Sequence, residues 1–113
     1  MKTLELTFRE QDADNFNRIK SGEKLIETRA GSPEYLEISS GDELVITCGT
    51  DTITKLVKEV YHFASLHDLI EKIGIEEILP AETTPEEAIA KWNSFPGYPE
   101  RIQEFGIIAW ALE

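Results

Sequence analysis

Lys20 to Arg29 reads KSGEKLIETR, and the fold turns on where this stretch stops being helix and starts being strand. Gly22 is a natural helix stop, because glycine takes the left-handed conformation that closes a helix without a Cβ penalty. Beyond it, Lys24 to Arg29 alternates charged and apolar side chains and reads as a strand. Strict alternation puts Leu25, Glu27 and Arg29 on one face and Lys24, Ile26 and Thr28 on the other. Lys24 and Glu27 therefore share a site only if Lys24 lies in the bend ahead of the strand, as its position just past Gly22 predicts. Three charges so close together are dense for a β segment and call for an explanation.

Upstream, Thr3 to Phe8 alternates, with Leu4, Leu6 and Phe8 on one face, the period-two mark of a half-buried strand. Asp12 or Asp14 caps a short helix whose apolar stripe is Ala13, Phe16 and Ile19. Downstream, AGSPEYLEISSGD (30–42) reads as a loop, with Ser40, Gly41 and Asp42 turning into the next strand. Glu43 to Cys48 and Ile53 to Tyr61 form a hairpin through Gly49, Thr50, Asp51 and Thr52.

Ser65 followed by Asp68 resembles a capping box, and Leu66, Leu69, Ile70 and Ile73 give a helix stripe ended by Gly74. Ile75 to Leu79 reads as one helical turn halted by Pro80. Thr84, Pro85, Glu86 and Glu87 start another helix, with threonine as cap, proline at the first position and acid at the positive end of the dipole. Its buried side carries Ala88, Ile89 and Trp92. Ser94 to Gly106, holding Pro96, Gly97 and Pro99, reads as loop with one turn of helix around Arg101. The apolar run Ile107 to Leu112 is a strand covered on both faces that returns to close the sheet. The sum is α+β: a small curved or barrel-like sheet with flanking helices grouped in the middle of the sequence.

The 113 residues fit a single domain, 1–113, and the 41% hydrophobic and 29% charged content are near globular averages. A lone cysteine, Cys48, makes no intramolecular disulfide and reads as a small buried thiol, which suits a reducing compartment. MKTLELTF alternates where a signal peptide would run apolar, and there is no run of ~18 apolar residues to span a bilayer. A cytoplasmic protein without a membrane partner is expected.

A net charge of -11 argues against binding a long duplex, which needs a basic face to release phosphate counterions. The acid is uneven, however. Ser65 to Glu104 holds nine acidic residues against Lys72, Lys91 and Arg101, whereas Arg18 to Arg29 holds Arg18, Lys20, Lys24 and Arg29 against Glu23 and Glu27. A local basic spot on an acidic body follows.

His62 and His67 have no second cysteine or paired histidine motif beside them, so no metal site or cofactor is expected. Glycine-rich phosphate loops, nucleophile elbows and CxxC pairs do not occur. What remains is Lys24, Glu27 and Arg29, with Lys58, Tyr61 and Glu82 as outlying candidates. The planar fork of Arg29 suits a phosphate or carboxylate, Glu27 accepts hydrogen bonds from a base or orients a cation, and a desolvated Lys24 serves as base or nucleophile. The competing reading makes Glu27 and Arg29 a surface ion pair worth less than ~1 kcal/mol. Tyr61, Phe63, Trp92 and Trp110 have faces on which a base stacks, although both tryptophans fit their apolar patterns as core.

The runs GEKLIETR, ISSGDELVI, VYHFASLHDLIEKIGIEEILP, TTPEEAIAKW and FGIIAWAL, in this order over nearly the whole chain, resemble the ASCH domain family, a branch of the PUA-like superfamily. The resemblance implies a small PUA-like β-barrel with a cleft at one mouth that takes RNA or a nucleoside. In one branch, the acetylcytidine amidohydrolases, the catalytic set is a lysine in a G-x-K motif, a threonine three residues later and a downstream glutamate. Lys24 matches the lysine, Glu27 stands where the threonine would be, and Glu82 matches the glutamate. The middle position departs from that set, since a carboxylate neither replaces a hydroxyl nucleophile nor donates like one at neutral pH.

Two functional readings follow. In the first, the mouth binds a nucleoside, nucleotide or short RNA element, with Lys24 and Arg29 on phosphate or base edges, Glu27 accepting from an exocyclic amine and Tyr61 stacking, and with Lys58 near by. In the second, an amidohydrolase acts on a modified nucleoside, with Lys24 as base or nucleophile, Glu82 assisting proton transfer, and Glu27 or Arg29 meeting the charge that develops on the carbonyl oxygen. A plain structural or interaction domain is the third. The oligomeric state is not legible from the sequence.

Overall fold

The computed structural model describes residues 1–78 and 83–113. Five strands build one sheet, β1 (Thr3–Phe8), β2 (Ile26–Ala30), β3 (Glu43–Cys48), β4 (Asp51–Phe63) and β5 (Ile107–Leu112). Their order is β1-β3-β4-β5-β2, with β1 parallel to β3 and every other neighbour antiparallel. The sheet curls into a half-barrel whose two edges are β1 and β2.

Alternation along β5 shows why that strand holds the molecule together. Ile108, Trp110 and Leu112 enter one core with Leu4, Leu6 and Phe8 of β1 and with Phe16 and Ile19 of helix α1 (Ala13–Ser21). Ile107 and Ala109 enter a second core on the opposite face. There they meet Leu66 and Leu69 of α3 (Leu66–Ile73), Ala88 and Trp92 of α4 (Pro85–Ser94) and Ile102 of α5 (Tyr98–Phe105). A strand buried on both faces reads as the continuous apolar run seen in the sequence.

Local signals account for most boundaries. Gly22 ends α1 at φ 86°, and the Ser65 side chain accepts from the Asp68 N–H. Thr84 and Glu87 form a complete capping box over Pro85.

Four boundaries differ from expectation. The segment 30–42 is not all loop, because Ser32 caps a short helix α2 (Pro33–Leu36) by accepting from the Tyr35 N–H. The hairpin turn is only Gly49 and Thr50, since Cys48 pairs with Asp51; Gly49, at φ 62°, fills the first turn position, where left-handed backbone suits the strand twist. β4 runs to Phe63 because β5 supplies a second partner once β3 ends. The stretch after Ser94 is mostly helix, because Pro99 sits in the first turn of α5, where no backbone N–H is needed.

Cys48 is also only half-buried. The expected stop at Leu79 and Pro80 lies outside the described residues. No described helix is long and apolar enough to cross a membrane.

Candidate functional site

The two edge strands approach each other without pairing, and a cavity of about 280 Å³ opens where they do. Its walls come from the end of β1, the start of α1, the chain from Lys24 to Arg29, the end of α4 and the turn into α5.

Pairing with β5 fixes the orientation of β2. Glu27 lies opposite Trp110 and Arg29 opposite Ile108, which puts both charged side chains on the face of the first core, at its open edge. Lys24 precedes the strand; its backbone N–H donates to the Arg18 carbonyl at 2.9 Å, which forms the bend and brings the side chain toward Glu27. The bend anticipated from the sequence is present.

The three charges then form one buried cluster. Lys24 Nζ is 3.5 Å from Glu27 Oε1, and Arg29 Nε donates to Glu27 Oε2 at 3.2 Å. Glu27 Oε1 also accepts from the Thr28 N–H at 3.1 Å. Arg29 and Glu27 are 18% and 5% exposed and Lys24 is 4% exposed, so the reading of Glu27 and Arg29 as a surface ion pair fails; burial, which rotation of β2 by one residue would have undone, was invisible to spacing alone. Arg29 reaches the Thr7 carbonyl at 3.4 Å and lies 5.0 Å from the centre of the Phe8 ring, linking the two sheet edges.

Electrostatics follow from this geometry. Burial holds the Lys24 ammonium below its ordinary 10.5; Glu27 opposes that shift, while the nearby Arg18 and Lys91 charges add to it. Burial also works against the Arg29 charge, but Glu27, with Tyr98 and Tyr35 adding to it, offsets that and the net movement is upward. Burial raises the Tyr98 phenol, with Arg29 opposing.

The other sequence candidates separate from this cluster. Tyr61 stands on β4 in a different, more open groove with Asp68, Glu71 and Lys72, donates its hydroxyl to Glu59 at 2.9 Å, and stacks on Phe63. Lys58 is exposed on the same strand, outside the seam cavity. Glu82 lies outside the described residues. Arg18 and Lys20 do not line the cavity either, being paired with Glu23 and Asp51. His62 donates from Nε2 to the Phe105 carbonyl at 2.6 Å, and among the described residues no group of three potential ligands gathers for a metal.

Sequence reasoning missed Arg9, Lys91, Phe95 and Tyr98, all of which line the cavity. Arg9 follows a strand end and Lys91 sits on a solvated helix face, so no local pattern singles either out. Trp92 is both core, as expected, and cavity wall. Among the described lining residues, Arg9, Lys24, Arg29 and Lys91 face Asp12 and Glu27, so the seam is cationic on a chain of net charge -11.

The fold is shared end to end with solved structures. The crystal structure of hypothetical protein PH0355 is 28% identical to this chain, with a TM-score of 0.83 over 98% of this chain and 97% of that one. The solution NMR structure of protein PF0455 from Pyrococcus furiosus is 25% identical, with a TM-score of 0.72 over 98% and 96%. No family model and no curated protein matches the chain.

Proposed function

We propose that the chain is an ASCH-type domain of the PUA-like superfamily whose seam cavity binds a nucleoside, nucleotide or short RNA element. The observation that carries this reading is the buried Lys24, Glu27 and Arg29 cluster set beside the rings of Phe8, Trp92, Phe95 and Tyr98. Charged groups that fix orientation beside aromatic faces that stack are what base recognition outside a duplex uses. At about 280 Å³ the cavity suits one small ligand or a single splayed nucleotide, and the acidic body disfavours a long duplex.

Calorimetric titrations with nucleosides, nucleotides and structured RNAs test it. Binding is expected for at least one, lost in Lys24→Ala and retained in Tyr61→Phe, whose side chain lies in the other groove. No binding to any of them by the wild type would overturn the proposal.

The lowered proton affinity of Lys24 favours a second reading, amide hydrolysis of an acylated cytidine. The neutral amine would take a proton from water as the oxygen attacks the acyl carbonyl, then return it to the departing amine as the C–N bond breaks, leaving cytidine and a carboxylic acid that gives its proton to solvent. Arg29 would meet the charge on the carbonyl oxygen; an anionic Glu27 is unsuited to that role. Chromatography after incubation with acylated cytidines tests it, and turnover no greater than that of Lys24→Ala would end it.

A further inference from the structure

We infer that the ligand carries one phosphate group and that Lys91, at the rim of the seam cavity, binds it. The inference rests on the nucleoside reading above and narrows it to a nucleoside monophosphate.

The argument is a charge inventory of the cavity. Arg9 is held by Asp12 at 2.9 Å and lies over the Phe95 ring at 5.1 Å. Lys24 and Arg29 share the one carboxylate of Glu27, which leaves one positive charge over at the floor. Lys91 makes no ion pair among the described residues, is exposed on α4 and lines the same cavity.

The cavity thus holds two positive charges beyond its own acids. Lys91 is also close enough for its charge to press on Lys24. A neutral nucleoside leaves that repulsion in place, whereas a phosphomonoester, at about -1.5 to -2 near neutral pH, matches the surplus. A triphosphate exceeds the surplus.

The field of the whole chain does not explain this surplus, because at net charge -11 it repels anions. An anion is recognised here only by charges within a screening length of about 8 Å, which places the discrimination on Lys91 and the floor cluster.

Calorimetry on the full chain decides the matter, using the nucleosides, their 5′- and 3′-monophosphates, and inorganic phosphate. One monophosphate is expected to bind about tenfold tighter than its nucleoside, the increment of one charge-assisted contact. Lys91→Gln, an exposed change, should remove most of that preference, while Lys91→Arg should keep it.

Equal binding of nucleoside and monophosphate by the wild type would overturn the phosphate and leave the nucleoside reading standing. A preference that survives Lys91→Gln would overturn the role of Lys91. Inorganic phosphate binding as tightly as the monophosphate, or no binding of any nucleoside or monophosphate, would overturn this inference, and the wider reading falls only if structured RNAs fail to bind as well.

Discussion

Lys24 Nζ lies 3.5 Å from Glu27 Oε1, and both side chains are withdrawn from solvent although they line a cavity. Glu27 is the only carboxylate in salt-bridge reach of two of the cavity's cations, Lys24 and Arg29, among the described residues. Its removal is therefore costlier than a surface count suggests. Glu27→Gln is expected to lower stability by about 3–5 kcal/mol, the range for orphaning a buried charge, read as a fall in the urea midpoint. Adding Lys24→Met should restore part of that loss, because Lys24 is then no longer an uncompensated ammonium. A double variant less stable than Glu27→Gln alone would contradict this account.

The same burial predicts a pH dependence. The folded protein releases the Lys24 proton at a lower pH than the unfolded chain does. Between the folded value and the ordinary 10.5 the unfolded chain binds more protons, so the Lys24 contribution to stability rises with pH across that window and is flat above it. Urea midpoints of wild type and Lys24→Met, measured from pH 7 upward, should show a rise in the difference between them as pH approaches 10.5. A difference that stays constant with pH would mean that Lys24 titrates alike in both states.

The sheet was largely legible because its signals are local and periodic. β1, β3 and β5 begin and end where alternation or apolar runs begin and end. α5 was not, because Pro96, Gly97 and Pro99 punctuate it at its start and only the burial of Ile102 reveals the helix that follows. The site was half legible: Lys24, Glu27 and Arg29 are neighbours in sequence, and the Gly22 stop implies the bend that joins them. Arg9 and Lys91 reach the same cavity from elements far apart in the chain, brought together by the approach of β1 to β2 and by the packing of α4. Tyr61 misled because an aromatic on a strand carries no mark of which groove it faces.

Gly106 joins α5 to β5 at φ 78° and ψ -164°, a region essentially restricted to glycine. A Cβ there would collide with the Phe63 carbonyl and stand 2.7 Å from His62 Nε2, the atom that donates to Phe105. Gly106→Ala is expected to destabilise by about 2–4 kcal/mol from strain and overpacking together, measured by thermal or urea unfolding. Gly41→Ala shares the positive φ, but a Cβ there meets nothing within 4 Å. It should cost less, because nothing stands in the way of its Cβ.

Asp42 ties the start of β1 to the turn before β3. Its carboxylate accepts from the Lys2 N–H and the Ser39 N–H, each at 2.8 Å, beside the point where Thr3 pairs with Glu43. The Lys2 and Ser39 backbone bonds hold its pKa below the ordinary 3.8. The contribution to stability is therefore present above 3.8 and is lost as pH falls through the folded value. Asp42→Asn keeps the size of the side chain but offers only one accepting oxygen to two donors. The variant is expected to melt at a lower temperature than wild type at pH 7, and the gap should close on acidification below 3.8. A gap that persists unchanged into acid would show that the charge of Asp42 is not what holds β1 against β3.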